Sequence, residues 1–246
     1  MRRALIVTLL VFAPACAFAG PPLLTNDPGT PGPGRWEINV GFTVEKRPGE
    51  TVYETPILDM NYGIGERVQL TLEVPWLVLS PKGEKTKNGL GNSSAGVKWR
   101  FLDEATQLFS VSVFPQIEFN NPGSSSADRG LVDKGTTFLL PLQFGKTWGP
   151  LGITADLGYA FKEHLTDEWS YGLAASYAVT DRIELLAEIH GTAPRAFEKD
   201  EMVFNIGTRW KLTQHYVLLA SAGRAIYSPE GEDAEFLSYL GIQFLF

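Results

Sequence analysis

Trp36-Glu37-Ile38-Asn39-Val40-Gly41-Phe42-Thr43-Val44-Glu45 decides the fold. Every even position is apolar and every odd one is polar or glycine. Successive side chains of a β-strand point to opposite faces, so this stretch is a strand with one greasy face and one wet face. Its length, about ten residues, is that of a tilted strand crossing a bilayer. The same alternation returns along the chain. Val68, Leu70, Leu72, Val74 and Trp76 stand against Gln69, Thr71 and Glu73. Ile153, Ala155, Leu157 and Tyr159 stand against Thr154, Asp156 and Gly158, and Leu240, Ile242, Phe244 and Phe246 against Tyr239, Gly241 and Gln243. Mean hydropathy stays near zero at −0.04 although aromatics reach 12%, as expected when lipid-facing and lumen-facing residues alternate.

Outward from that strand, connections alternate in length. Gly63–Glu66, Leu102–Ala105, Trp148–Pro150, Thr180-Asp181 and Leu212–Gln214 read as short turns. Lys46–Thr51, Ser80–Gly89, Asn120–Lys134, Glu163–Glu168, Pro194–Glu201 and Ser228–Glu235 read as longer polar loops. Five turns and six loops join twelve strands. The fold class is therefore all-β: a transmembrane antiparallel up-and-down β-barrel of about twelve strands, with short periplasmic turns and longer extracellular loops. Aromatics cluster where two interfacial girdles belong, Trp36, Trp99 and Trp210 near one end and Trp76, Phe161 and Trp169 near the other. A soluble sandwich or lipocalin-like barrel would bury the apolar face instead.

The first residues describe export. Arg2 and Arg3 precede an apolar run too short to span a membrane, and Ala17-Phe18-Ala19 has the small-x-small pattern of a processing site. Residues 1–19 read as a signal peptide cleaved between Ala19 and Gly20. Cleavage removes Cys16, the sole cysteine, so the mature chain can form no disulfide. It also removes two bases from a chain whose formal charge is already −7, which argues against nucleic acid as a partner. Residues 20–34 form a Pro/Gly-rich arm without periodicity. It is expected as a periplasmic tail, the alternative being a partial plug inside the barrel; residues 35–246 form the barrel. At the far end, Ile242, Phe244 and Phe246 alternate up to the last residue, resembling the terminal signal read by the barrel-assembly machinery. The location expected is the Gram-negative outer membrane, with lipid and lipopolysaccharide as surroundings.

The motifs Pro22–Gly32 with Gly34-Arg35-Trp36-Glu37, Tyr62-Gly63-Ile64-Gly65-Glu66-Arg67-Val68 and Gly96-Val97-Lys98-Trp99-Arg100-Phe101 resemble the "MetA-pathway of phenol degradation" family. These are outer-membrane barrels regarded as transporters. The resemblance covers most of the mature chain and rests on structural motifs. It implies a transporter barrel, and the family's name implies passage of aromatic compounds.

The inward-facing set is rich in charge. Glu37, Asp59, Glu73, Glu118, Asp156, Glu184 and Glu188, with His190, Lys98, Arg100, Arg209 and Lys211, are the candidate lumen-lining residues. Glu73 is expected beside Lys98 and Arg100, and Glu184 and Glu188 beside Arg209 and Lys211. Arg224 is placed inward because a lipid-facing arginine is costly. Such a set is either an eyelet that selects solutes or an ion-pair network that fills the interior. No enzyme is expected: His164, His190 and His215 have no serine at a suggestive spacing, so no catalytic residue is assigned. Glu230, Glu232, Asp233 and Glu235 match no calcium loop; neither a metal site nor a cofactor is expected. The function expected is passive uptake of small solutes, aromatic or hydrophobic ones among them. The alternative is a filled structural or interaction barrel acting through its outer loops.

Overall fold

The computed structural model describes residues 20–197, 200–228 and 234–246. Residues 1–19, including Ala19 and the signal-peptide reading, and Glu230, Glu232 and Asp233 lie outside this description. The strands are β1 (Trp36–Arg47), β2 (Glu50–Ile64), β3 (Val68–Pro81), β4 (Lys87–Leu90), β5 (Ser93–Leu102), β6 (Ser110–Val113) and β7 (Gln116–Phe119). They continue as β8 (Thr137–Trp148), β9 (Leu151–Lys162), β10 (Glu168–Ala178), β11 (Ile183–Pro194), β12 (Glu201–Lys211), β13 (Tyr216–Tyr227) and β14 (Phe236–Leu245). Every pairing is antiparallel, and consecutive barrel strands are neighbours.

These segments make a closed barrel of twelve staves. β4 and β5 are one stave, since both pair with β3 and only Gly91 and Asn92 interrupt them. β6 and β7 are another: they keep a single register on β8 across Phe114-Pro115, where proline cannot donate to the ladder. The seam is β1 on β14, from Glu37 opposite Leu245 to Lys46 opposite Phe236. It ends in a reciprocal pair, Trp36 N–H to Phe246 O at 3.1 Å and Phe246 N–H to Trp36 O at 3.0 Å. Closure satisfies every edge, which a sheet in lipid requires.

Burial is inverted relative to a soluble protein. Val40, Phe42, Leu72, Leu157, Ile206 and Leu240 are exposed on the outer wall, while Asn39, Ser112, Gln143 and Asn205 are buried inside. An apolar surface of this extent suits lipid, and the inversion removes the sandwich and lipocalin alternatives. Rings gather at both rims. Trp36 packs at a tilt on Tyr62 (centroids 4.8 Å apart) and Tyr216 meets Phe244 edge-on at the short-turn end. Tyr159 meets Trp169 and Phe161, each at 4.7 Å, at the other.

Three expectations are corrected. The Lys46–Thr51 and Ser80–Gly89 loops shrink to Pro48-Gly49 and residues 82–86, because β1 to β4 extend past the apolar band on polar alternation. Arg224 points outward. It pairs with lipid-facing Phe204, while Gly223 and Ala225 face in. It lies close to the long-loop rim, where its head can reach water. Third, residues 20–34 are not a tail: they lie inside the barrel.

Candidate functional site

The arm is held mainly through its own backbone. Glu188, only 2% exposed, accepts the Leu24 and Thr25 N–H groups at 2.9 and 2.8 Å and the Asn205 amide at 2.7 Å. Asp156 accepts Asn26 N–H at 2.9 Å. Lys98 donates to the Asp27 carbonyl at 2.7 Å and Ser221 to that of Pro22 at 2.6 Å. Arg209 reaches the Gly20 and Pro21 carbonyls at 3.2 and 3.3 Å. Leu23 packs on inward-facing Ala174 and Leu186. The arm closes only local turns on itself, such as Gly20 N–H to Thr25 O and Leu23 N–H to Gly20 O, so its other buried amides and carbonyls need such partners. The inward acids and bases supply them.

The wall is shaped for this occupant at particular glycines. A Cβ on Gly63 would sit 1.8 Å from the Gly32 carbonyl oxygen, and one on Gly172 would sit 2.3 Å from Thr25 Oγ1. From Pro22 to Pro28 the arm runs along β13 to β8, with Lys98 of β5 holding Asp27, and its approach to β1 is fixed by Gly34 N–H to Gly63 O at 2.9 Å.

The opposite wall stays open. A cavity of about 370 Å³ lies between the arm and the strands β14, β1, β2, β3 and β5, reaching β12 and β13 at Asn205, Arg209 and Ser221 and β7 at Gln116. Of the candidate lumen residues, Glu37, Asp59, Glu73, Lys98 and Arg209 line it. Asp156 and Glu188 are taken up by the arm, with His190 within electrostatic range of Asp156. Glu184 meets Arg209 at 3.5 Å, as expected. Arg100 instead turns to the short-turn rim, binding the Glu66 carbonyl at 2.7 Å and Asp103 at 3.0 Å. Glu118 lies at the other end, accepting from Asn92 at 2.9 Å, and Lys211 is exposed at its turn.

The expected pairing of Glu73 with Lys98 and Arg100 does not form. Register places Glu73 opposite Ser94 and Lys98 opposite Gln69, so the charges stand at different heights. Glu188 likewise meets Asn205 rather than a base. Reasoning from alternation also missed Phe114 and Glu54, and it placed Tyr239 on the inward face without singling it out. Phe114 is buried, with the Lys98 ammonium 5.0 Å from its ring centre. Glu54 comes inward because a register shift between Glu54 and Ile57 slips the alternation by one; the Thr55-Pro56 dipeptide was the available signal. Asp59 is satisfied locally, by Asn39 at 2.8 Å and Asn61 at 3.0 Å. Ile242 and Phe244 lie in β14 against β1, and Phe246 closes the seam beyond them.

No family model matches the chain, and no curated protein sequence matches it. Solved structures do. The chain is similar to the COG4313 outer membrane channel from Pseudomonas putida F1, with a TM-score of 0.64, 15% identity, and 89% of this chain and 98% of that one covered. It is also similar to the NanC porin (TM-score 0.61, 9% identity, 85% and 98% covered). A third likeness is to the CymD monoaromatic hydrocarbon channel (0.51, 8% identity, 89% of each chain). At these identities the likeness is one of fold: a closed antiparallel barrel with a polar interior.

Proposed function

We propose that the protein is an outer-membrane channel for passive movement of small solutes, narrowed by its own N-terminal arm. The observation that carries this reading is the cavity of about 370 Å³ that remains beside the docked arm, lined by charged and amide side chains. A filled structural barrel would close that space with cross-strand pairs, and here the register keeps Glu73 and Lys98 apart. The cavity's lining sets charged and amide groups beside apolar ones such as Ile57, Phe114 and Leu237, so it suits small solutes that carry both characters. The fold likeness to the COG4313 channel and the motifs around Gly32, Tyr62 and Trp99 support membership in the phenol-degradation MetA-pathway family. We place the short turns and the arm in the periplasm and the loops outside, with lipopolysaccharide around the long-loop rim. The barrel-assembly machinery would read Phe246. The fold likeness to outer-membrane channels and porins supports a reading that is not enzymatic.

Planar-bilayer recording of the refolded protein tests this. Stable, small single-channel steps are expected, small because the arm occupies much of the cross-section. A folded barrel that never conducts would overturn the channel reading and favour a barrel acting through its loops.

A further inference from the structure

The cavity has a chemical bias that its position alone does not explain. Asp59 and Glu73 stand directly opposite each other on β2 and β3, a separation of about 5 Å between Cβ atoms at which like charges destabilise a sheet. Glu37, Glu54 and Tyr239 line the same space, and Asp59, Glu73, Glu37 and Glu54 all lie within electrostatic range of the Tyr239 ring. Two counter-charges, Lys98 and Arg209, line the same cavity within electrostatic range of Glu37, and among the described residues none acts on Glu73. Lys98 is spent on the Asp27 carbonyl and the Phe114 ring, and Arg209 on Glu184 and the arm. Among the described residues, no hydrogen bond reaches the carboxylate of Glu37 or of Glu73. A separate group is also unsatisfied: the Tyr239 hydroxyl, buried where its ring covers Gly41 and Gly241, has no partner.

We propose that this cavity binds small organic ammonium ions, amines and short diamines. One ammonium would sit at Glu73 on the side facing the Tyr239 ring, and the second ammonium of a diamine would extend along the cavity toward Glu37. An ammonium donates to carboxylates singly, without requiring several oxygens to converge. A metal ion does require convergence, and no cluster of three acids or histidines with metal-binding geometry exists among the described residues. The volume suits a molecule of several heavy atoms rather than a bare ion, and an aromatic face adds attraction for an organic cation. For transport, the inference rests on the channel reading and makes the pore cation-preferring. For binding it stands alone.

The test uses the full-length barrel in detergent and in bilayers, with a pentamethylene diamine, cadaverine, as probe. Calorimetry is expected to show saturable binding that weakens roughly tenfold or more in Glu37→Gln with Glu73→Gln, a loss of about 1.4 kcal/mol or more. Cadaverine should raise the urea midpoint of the wild type and not of the double variant. Glu73→Gln alone should fold at least as well as wild type, because it removes the repulsion with Asp59. Under a salt gradient the wild-type reversal potential should show cation preference, reduced in the variants. Binding without conductance would sink the channel reading and leave the site standing. Conductance with cadaverine binding equal in wild type and double variant, or with no binding, would overturn the site.

Discussion

Deletion of residues 20–34 is expected to raise single-channel conductance severalfold while leaving a folded barrel. The arm crosses the lumen from Gly63 to Arg209, and the passage beside it is only the remaining cavity. Ionic current scales with the open cross-section, so removing a full peptide strand from the interior has a large effect. Stability should change much less. The seam from Glu37–Leu245 to Lys46–Phe236 does not involve the arm. Glu188, Asp156, Lys98 and Arg209 lose their bonds to arm backbone, but water entering the widened lumen replaces them. A graded version substitutes valine at Gly172, whose new side chain meets Thr25 and should produce the wide-conductance state part of the time. Bilayer recording checks both. Unchanged conductance after deletion would mean that the arm does not limit flow.

Much of this architecture was legible because it depends on alternation. Trp36–Glu45, or Ile153–Tyr159, cannot sit any other way without putting Asn39 or Asp156 into lipid. Lys98, Asp156, Glu188 and Arg209, read as inward from alternation, are buried inside the barrel. Legibility ended where the repeat breaks. The slip at Glu54–Ile57 brought in a carboxylate that parity had excluded. Phe114-Pro115 hid an inward aromatic. Arg224 was misplaced by a cost that applies at mid-membrane and fades toward the rim. Register between strands was not readable at all. It alone decides that Glu73 meets Asp59 rather than Lys98, turning an expected ion pair into an unbalanced acidic wall. The arm was invisible for another reason. Its partners recognise main-chain atoms, and a backbone amide leaves no mark in a sequence. The glycines that admit it, Gly63 and Gly172, look like the other glycines of the inward faces.

Glu188→Ala is the substitution expected to loosen the arm most. One carboxylate holds three donors, the Leu24 and Thr25 amides and the Asn205 side chain. Hydrogen bonds to a charged acceptor contribute about 1.5–3 kcal/mol each, and their sum is an upper limit because water takes up part of the loss. A net penalty on docking of about 3 kcal/mol follows, roughly a hundredfold increase in the undocked fraction. Thr25 is the natural reporter. It is fully buried and its hydroxyl has no hydrogen-bond partner, so Thr25→Cys removes no interaction that holds the arm. Cys16 is the sequence's single cysteine, so a Cys16→Ser background leaves the reporter as the one thiol. Maleimide labelling of Thr25→Cys should be slow in the otherwise wild-type barrel and about two orders of magnitude faster with Glu188→Ala, since a buried thiol reacts only through the undocked state. Glu188→Gln should fall between, because its amide oxygen can still accept but carries no charge. Equal labelling rates in all three would show that the arm is anchored elsewhere, with Lys98 and Arg209 as the remaining holds.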